Sequence, residues 1–352
     1  MILDKQVAVI GAGIAGLSCA TALQRSGANV TVFEKSRGVS GRLSTRVVHS
    51  ADLTQLWQCD HGAQYFTARD PVFNVEVQRW IQADVAQLWQ PRLMVLDGNK
   101  LHNKESETKR FVGYPRNNSP AKWLAQSLNI HTETTVTRLQ KSGQQWLISS
   151  TEHGVNVQKF DAVILAIPAP QATVLLKDIS PNLYALTANV KMHACFSLML
   201  NIQNKIHCDF DGLFINNGLL RWIARDSAKP GRMDLGAHHA RTPASALETW
   251  VSQASSQWSE MYVNEDKEVI AQQMLAEFTR IINLQYPNVF EPHSYSLHRW
   301  LYADCEDYLN CAYQLDRQNN IGICGDWLNG GKVQGAWLSG LMIAKQLIAI
   351  NL

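Results

Sequence analysis

The chain has 352 residues, of which 46% are hydrophobic and 18% are charged. This ordinary globular composition excludes a collagen, a coiled coil and a disordered tail, and the length predicts about two domains. The 32 basic and 30 acidic residues leave a formal charge of +2. The charge therefore gives no reason to expect nucleic acid or anionic lipid as a partner.

Cysteine usage and hydropathy indicate the compartment. The seven cysteines are scattered and none forms a CxxC pair, which argues against a disulfide scaffold and a structural zinc site. The apolar run over residues 7–23 could pass for a signal peptide, but glycines interrupt it, which a strand, a turn and a helix explain better. No other stretch approaches the roughly 18 apolar residues of a membrane span. We therefore expect a reduced, cytoplasmic protein with no metal and no membrane segment.

The first 34 residues predict a βαβ unit. Residues 7–10 are typical of a strand buried on both faces, residues 14–26 predict a helix that ends at a glycine, and residues 30–33 predict a second strand. The first strand and the helix are joined by Gly11-Ala12-Gly13-Ile14-Ala15-Gly16. This is a G-x-G-x-x-G motif in the context that dinucleotide binding requires.

Each glycine of the motif has its own expected role. Gly11 permits the tight turn, Gly13 lets the backbone approach a pyrophosphate, and Gly16 lets the helix pack closely on the strand. The free N–H groups at the helix N-terminus favour phosphate. Glu34, at the end of the second strand, is placed to bind both ribose hydroxyls and disfavours a 2′-phosphate. The motif alone leaves FAD and NAD both open.

The loop after Glu34 favours FAD. Residues 37–44 read R-G-V-S-G-R-L-S. The step Gly41-Arg42 is typical of the FAD fold shared by glutathione reductase and the amine oxidases, where the loop supports the diphosphate. The usual form carries two glycines, and Ser40 replaces the first. In the same fold a later strand contacts the adenine through its backbone, and Val136 is the candidate for that contact.

The elements that follow predict two interleaved domains. We expect an α/β fold in which a Rossmann-like FAD-binding domain (residues 1–67, 115–170 and 293–352) is interleaved with an α+β substrate domain (68–114 and 171–292) that carries a mostly antiparallel sheet. Residues 34–46 predict a loop that runs into a helix. The other predicted helices are 71–87, 119–128, 245–262, 267–284 and 334–350, and the other predicted strands are 134–139, 145–149, 160–167, 195–202, 213–215, 219–224, 235–239, 298–303 and 321–324.

A second cofactor signal lies near the other end of the chain. Gly325-Asp326 follows a short apolar strand, and residues 333–336 open a helix, which resembles the C-terminal FAD motif of the same superfamily. Asp326 is suited to accept hydrogen bonds from ribityl hydroxyls. A helix N-terminus at Gly335-Ala336 is suited to stabilise negative charge on a reduced flavin. An NAD dehydrogenase needs no such second site.

Six segments in combination carry a family resemblance: residues 7–17, 60–69, 160–171, 222–232, 298–303 and 325–327. Together they resemble the renalase family of FAD-dependent oxidoreductases, especially its bacterial members. The resemblance implies a two-domain flavoprotein of the p-hydroxybenzoate hydroxylase topology with non-covalent FAD. It also implies oxidation of the 2- and 6-dihydro isomers of NAD(P), with NAD(P)⁺ released and O₂ reduced to H₂O₂. The chain departs from the family at Ser40, and at residues 114–117, where Pro-Gly-Met is more usual.

Hydride transfer to a flavin needs no protein nucleophile, so the expected site consists of aromatic walls and a few cations. The candidate catalytic residues are Tyr65, Trp222, Arg225, Arg299 and Trp300, with Trp327 and Arg232 as further wall and cation candidates. His238 and His239 do not predict a metal pair, because adjacent strand residues point to opposite faces. The candidate cofactor-binding residues are Gly11, Ala12, Gly13, Ile14, Ala15, Gly16, Glu34, Lys35, Gly41, Arg42, Gly62, Ala63, Gln64, Val136, Gly325, Asp326, Gln334, Gly335 and Ala336.

Two other functions stay open at this point. One is a flavin amine oxidase or desaturase of the same fold that acts on another small substrate. The other is a flavin-binding redox sensor without turnover. The aromatic and arginine residues of the middle segment favour an enzyme whose partners are a small dihydronicotinamide and O₂.

Overall fold

The computed structural model describes residues 2–49, 56–202, 205–232, 248–284, 286–287 and 292–351. Its first large sheet has six strands in the order β19-β20-β13-β1-β2-β9, all parallel except the edge strand β19. The strands are β1 (Gln6–Ile10), β2 (Asn29–Phe33), β9 (Asn129–His131), β13 (Ala162–Leu165), β19 (Gln314–Asp316) and β20 (Ile321–Ile323).

Both faces of this sheet are covered, which explains its continuous apolar strands. Val7 and Val9 face a core formed with four helices, whereas Ala8 and Ile10 face a core formed with two further helices and a small sheet. The first group is α1 (Ile14–Arg25), α2 (Pro71–Gln82), α3 (Ser119–Ala125) and α8 (Lys332–Ala349). The second group is α4 (Ala169–Leu176) and α5 (Pro181–Ala188), with β10 (Val136–Ser142), β11 (Gln145–Ser150) and β12 (Gly154–Val155).

The second large sheet has seven strands in the order β18-β14-β17-β16-β15-β6-β7. Each neighbouring pair is antiparallel except β6 with β15. Helix α7 (Lys267–Asn283) packs on one face through residues such as Met274 and Phe278. The strands are β6 (Leu93–Asp97), β7 (Lys100–Asn103), β14 (Met192–Ile202), β15 (Gly212–Ile215), β16 (Leu220–Arg225), β17 (Glu248–Ala254) and β18 (Pro292–Cys305).

The remaining strands form two short antiparallel pairs, β3 (Thr45–His49) with β4 (Leu56–Asp60), and β5 (Ala86–Trp89) with β8 (Arg110–Gly113). The predicted fold class is confirmed: a Rossmann-like parallel sheet accompanies a sheet that is mostly antiparallel. All seven cysteines are free thiols. Within the described ranges, none of the helices combines the length and the apolar character that a membrane crossing needs.

Three element predictions were wrong. The segment 34–46, predicted as a loop that runs into a helix, contains no helix and runs into strand β3, which begins at Thr45. The predicted helix 71–87 ends at Gln82, and residues 86–89 form β5. Within the predicted helix 245–262, residues 248–254 form strand β17 and are followed by the short helix α6 (Ser256–Met261), which Ser255 caps by accepting from the N–H of Trp258, while residues 245–247 lie outside the described residues. Pairing of β17 with strands on both sides outweighs its local helical pattern.

The interleaving of domains differs in one detail from the prediction. Residues 293–305 were assigned to the FAD-binding domain, but they belong to β18, which pairs with β14 in the seven-stranded sheet. The division of the chain into two domains otherwise stays a prediction. The predicted strand 235–239, with His238 and His239, lies outside the described residues.

Candidate functional site

A cavity of about 1590 Å³ is bounded by residues from both large sheets. Its wall includes the turn between β1 and α1, parts of β16 and β18, and the first turn of α8. Small-molecule pockets are typically about 300–1,000 Å³. The cavity therefore has room for an extended dinucleotide with a substrate beside it.

The glycine turn at the start of α1 is shaped by packing at two positions and is open at the third. Gly11 has φ +104°, and a Cβ there would lie 2.6 Å from the carbonyl oxygen of Ala166. A Cβ at Gly16 would lie 1.9 Å from the carbonyl oxygen of Gly11. A Cβ at Gly13 would meet nothing within 4 Å. The open space beside Gly13 fits the close approach of a pyrophosphate.

Glu34 lies at the end of β2 and is 7% exposed. Its carboxylate accepts hydrogen bonds from the N–H groups of Ala12 and Ser36, each at 2.8 Å. A carboxylate has about four lone-pair sites, so two remain for the hydroxyls of a ribose. The same contacts fix the glycine turn to the end of β2, a structural role that the sequence pattern did not predict.

The loop after β2 returns to the glycine turn. The N–H of Ser40 donates to the carbonyl of Ala12 at 2.9 Å. Ser40 has φ +122° and Gly41 has φ +58°, so Ser40 adopts a conformation that favours glycine. The family's usual glycine at this position therefore has a physical reason, and this chain departs from it at some cost in strain.

The C-terminal motif meets the same loop. Nη2 of Arg42 donates to Oδ1 of Asp326 at 2.5 Å. Helix α8 begins at Lys332, not at Gln334 as predicted, so its free N–H groups are those of residues 332–335. The side chain of Gln334 accepts from the N–H groups of Arg69 and Asp70 at 2.7 and 2.9 Å. That side chain is therefore engaged by the loop before α2 and is not directed at a cofactor.

The backbone of residues 62–64 is held from several directions. The N–H of Ala63 donates to the carbonyl of Arg42 at 2.9 Å. The side-chain amide of Gln253 donates to the carbonyl of Gly62 at 2.8 Å, and that of Asn117 donates to the carbonyl of Ala63. These contacts come from three different parts of the fold. They preorganise this stretch of the cavity wall.

Behind this wall lies a fully buried cluster of four charged side chains. Nζ of Lys229 donates to Asp226 at 2.8 Å and to Asp60 at 3.1 Å. Nη2 of Arg232 donates to Asp60 at 2.7 Å. Lys229 also donates to Oε1 of Gln64 at 3.1 Å, so the cluster reaches a residue on the cavity wall.

Charges in this cluster balance one another. Burial opposes the ionisation of Asp60, but Arg232 and Lys229 outweigh it and lower the pKa of that carboxyl to about 2. Burial and the neighbouring Asp60 raise the pKa of Asp226. Burial lowers the pKa of Lys229, but Asp226 and Asp60 more than offset that effect. Because each charge has a partner of opposite sign, the two acids and two bases can be buried together away from water.

Aromatic rings form much of the remaining wall. The ring of His61 stacks on that of Trp300, with centroids 5.0 Å apart, and Nε1 of Trp300 donates to the carbonyl of His61 at 2.8 Å. The ring centroid of Trp222 lies 4.6 Å from that of Phe214 and 6.0 Å from that of Tyr65. These rings provide flat apolar surfaces suited to stacking a planar molecule.

Five residues of the cavity wall have a buried polar atom with no hydrogen-bond partner among the described residues: Oγ of Ser44, Nδ1 of His61, Nε of Arg110, Oδ1 of Asn118 and Nε1 of Trp222. Buried polar atoms are normally paired. These atoms call for a partner that the described residues do not supply. Together with Gly13 and Glu34, they show that the residues present fit a flavin dinucleotide.

The cavity wall contains most of the candidate residues. Arg225 does not line it: its Nη2 donates to the carbonyl of Ile206 at 2.8 Å, and its guanidinium lies 5.0 Å from the ring of Trp250. Arg232 is engaged by Asp60 and backbone carbonyls. The candidates that do line the cavity are Gly11, Gly13, Ile14, Ala15, Glu34, Lys35, Gly41, Arg42, Gly62, Ala63, Gln64, Tyr65, Val136, Trp222, Arg299, Trp300, Gly325, Asp326, Trp327 and Ala336.

Alternation along a strand separates the arginines from the tryptophans. Trp222 and Arg225 are three residues apart on β16, and Arg299 and Trp300 are adjacent on β18, so each pair points to opposite faces of the sheet. The guanidinium of Arg299 accordingly donates to the carbonyl of Val263, although part of the residue borders the cavity. The sequence therefore already contained the signal that places each arginine and its neighbouring tryptophan on opposite faces of the sheet.

Comparison with known proteins gives two family matches. A family profile described as flavin containing amine oxidoreductase matches residues 95–348, and one described as NAD(P)-binding Rossmann-like domain matches residues 9–78. The chain is 40% identical over 70 residues to protoporphyrinogen oxidase 2, chloroplastic/mitochondrial, of Arabidopsis thaliana, an alignment that covers 20% of this chain and 13% of that protein. It is 50% identical over 42 residues to putative oxidoreductase AegA of Escherichia coli, covering 12% of this chain and 6% of that protein.

Solved structures match over nearly the whole chain. A putative protoporphyrinogen oxidase from Exiguobacterium sp. 255-15 has a TM-score of 0.75 at 13% identity, covering 98% of this chain and 99% of that one. Cyclohexylamine oxidase from Brevibacterium oxydans has a TM-score of 0.71 at 10% identity, covering 99% of both chains. At these identities the likeness shows a shared fold.

Proposed function

The chain belongs to the family of flavin-containing amine oxidoreductases and uses FAD, and from that premise we propose that it is a renalase-like oxidase. Its substrates are the 2- or 6-dihydro isomers of NAD(P), and its products are NAD(P)⁺ and H₂O₂. The free cysteines support placing this activity in a reducing compartment, which we propose is the cytoplasm.

The proposed cofactor contacts divide along the cavity. The open face at Gly13 and the N-terminus of α1 receive the diphosphate, and Glu34 binds the adenosine ribose. Val136 lies on the wall for the adenine, and Asp326 lies near the start of α8 for the ribityl and flavin portions. Bound FAD supplies a hydride acceptor that O₂ can reoxidise.

The chain's own residues orient the substrate and exclude water. The rings of Tyr65, Trp222 and Phe214 contact one another and form an aromatic surface of the cavity wall, on which a dihydronicotinamide ring can stack. The unpaired Nε1 of Trp222 is a donor available to the carboxamide oxygen. Holding the ring in a fixed orientation is the main contribution a protein makes to hydride transfer.

The proposal rests on the hydrogen bonds that the carboxylates of the cavity wall already accept from other protein groups. Among the described residues, Glu34, Asp304 and Asp326 line the cavity, and each already accepts hydrogen bonds. Asp304 accepts from the hydroxyl of Tyr308 at 2.6 Å, and Asp326 is paired with Arg42. A protonated amine would therefore find no carboxylate on this wall that lacks a hydrogen-bond donor of its own. A neutral dihydronicotinamide needs none.

The test is anaerobic mixing of FAD-loaded enzyme with 2-dihydroNAD, 6-dihydroNAD, putrescine or cyclohexylamine. Loss of the flavin band at about 450 nm reports hydride transfer. We expect rapid bleaching with a dihydronicotinamide isomer only, and stoichiometric H₂O₂ once O₂ is admitted. Bleaching by an amine and by neither isomer would identify an amine oxidase instead, and bleaching by none would favour a flavin-binding sensor.

A further inference from the structure

The segment that connects β7 to β8 presents alternate residues to the cavity. Lys104, Ser106, Thr108 and Arg110 all border the cavity, whereas the intervening residues 105, 107 and 109 do not. The four bordering residues become more buried along the segment, from exposed at Lys104 and Ser106 to buried at Arg110. In an extended chain, side chains two positions apart point to the same side. The sequence K-E-S-E-T-K-R thus places two cations and two hydroxyls on the inner side.

Arg110 is the most buried member of this group, at 8% exposed. Nη2 donates to Oγ of Ser106 at 3.2 Å and Nη1 to the carbonyl of Thr108 at 3.0 Å, but Nε has no partner among the described residues. No carboxylate in the described ranges lies within 4.0 Å of the guanidinium. A buried cation without an anion is costly, so an anion from outside the protein would stabilise it.

Both cations lie against rings of the aromatic surface formed by Tyr65, Trp222 and Phe214. The guanidinium of Arg110 is 5.3 Å from the ring of Tyr65, and Nζ of Lys104 is 4.0 Å from the ring of Phe214. A ligand whose ring stacks on the aromatic surface would bring a nearby substituent to these cations. The chemistry that suits an arginine fork with a lysine and two hydroxyls is a phosphate.

We propose that Lys104, Ser106, Thr108 and Arg110 form a subsite that binds the phosphate of the substrate. The enzyme then prefers a phosphorylated dihydronicotinamide, as dinucleotide or mononucleotide, over the unphosphorylated riboside. This inference rests on the proposed function, since it concerns the substrate of the same site. Arg110 and Lys104 determine specificity without contacting the reacting ring atoms.

The test compares Arg110→Gln with Lys109→Gln, a control that removes the same charge from the outer side of the segment. With the FAD-loaded enzymes, we expect Arg110→Gln to raise KM for the 6-dihydro dinucleotide and mononucleotide about tenfold to a hundredfold, as for a lost charge-assisted hydrogen bond. The kcat is expected to stay close to that of the original enzyme. The riboside should be affected less than about twofold, and Lys109→Gln should match the original enzyme. If Arg110→Gln fails to fold, Lys104→Gln, which changes an exposed side chain, is compared with Lys109→Gln in the same assays.

An equal loss with the riboside and the dinucleotide, or equal effects of Arg110→Gln and Lys109→Gln, would overturn the subsite. Calorimetric binding of inorganic pyrophosphate to the FAD-loaded enzyme tests the subsite without turnover. We expect binding that Arg110→Gln weakens and Lys109→Gln does not, and the absence of this difference would also overturn it. An enzyme that binds pyrophosphate in this way but oxidises no dihydronicotinamide would refute the proposed activity while leaving the anion site in place.

Discussion

The guanidinium of Arg42 and the carboxylate of Asp326 join two distant parts of the chain at a distance of 2.5 Å. Nη1 of Arg42 also donates to the carbonyl of Ala303, at the end of β18, at 3.0 Å. The loop after β2 and the motif before α8 were predicted separately as FAD-binding segments. The ion pair shows that they form one continuous wall.

Removing the ion pair between Arg42 and Asp326 should weaken the binding of FAD. We expect Arg42→Gln to weaken FAD binding about tenfold or more, because a charge-assisted hydrogen bond contributes about 1.5–3 kcal/mol. The dissociation constant can be measured from the fluorescence of free FAD. Arg37→Gln is the matched control, since Arg37 lies in the same loop and its side chain is 93% exposed. Equal weakening by the two variants would contradict the role given to Arg42.

Substitutions at two glycines of the same motif should have different effects, one on flavin binding and the other on stability. Gly13 has φ −74° and open space beside it, so Gly13→Val is expected to fold with a normal melting temperature and to remain colourless. A Cβ at Gly16 would lie 1.9 Å from a carbonyl oxygen, so Gly16→Ala is expected to lower the stability of the apoprotein by at least about 2 kcal/mol. Melting curves and bound-flavin spectra distinguish the two effects. A yellow Gly13→Val protein would show that the pyrophosphate lies elsewhere.

Ser40 offers a substitution that should stabilise the protein. Its φ of +122° carries a strain of about 1–3 kcal/mol, while glycine adds roughly 0.5–1 kcal/mol of unfolded-state entropy. We expect Ser40→Gly to raise the free energy of unfolding by about 1 kcal/mol, measured by urea denaturation. Gly41→Ala, with φ +58°, should change stability in the opposite direction. A loss of stability in Ser40→Gly would show that the serine side chain contributes more than its backbone costs.

Trp222 and Trp300 should also respond differently when each loses its indole N–H. Nε1 of Trp222 is buried without a partner among the described residues, whereas Nε1 of Trp300 donates to the carbonyl of His61. We expect Trp222→Phe to lower kcat/KM for the substrate about tenfold with less than about 1 kcal/mol change in stability. Trp300→Phe should cost about 1 kcal/mol of stability. Unchanged kinetics in Trp222→Phe would remove the proposed contact with the carboxamide.

The parts of the site that were predictable are those with local signals. Gly11, Gly13, Gly16 and Glu34 fall within a single βαβ unit, so turn, helix and strand all reveal their positions. The cluster of Asp60 and Lys229 had no such signal. These residues are 169 positions apart, and a lysine in sequence is normally taken as a surface charge. Only the fold shows that its charge is buried and paired.

The strand β17 illustrates a second limit. Residues 248–254 were predicted as helix, but they pair with β14 on one side and β16 on the other. Both partners are distant in sequence, so local propensity had no access to them. The polar segment 104–110 was missed for a related reason. Its alternation has meaning only once one side is known to face a cavity.

The paired histidines at the cavity predict a pH dependence of stability. Burial, then His298 and Arg46, lower the pKa of His61 to about 3. Burial, then Arg46 and Lys267, lower the pKa of His298 to about 4. The unfolded chain therefore takes up protons first, near pH 6.5. Stability is full above that pH and falls as the pH drops towards these folded-state values.

The expected slope for His61 is about 1.4 kcal/mol per pH unit below pH 6.5, with a smaller contribution from the more exposed His298 because solvent screens it. Urea denaturation at fixed FAD concentration between pH 7 and pH 5 measures the slope. His61→Phe keeps a ring against Trp300 and removes the titrating group, so its slope should be shallower. His153→Gln, at an exposed position, should leave the slope unchanged. Identical slopes in the original protein and His61→Phe would show that His61 takes up its proton equally in the folded and unfolded states.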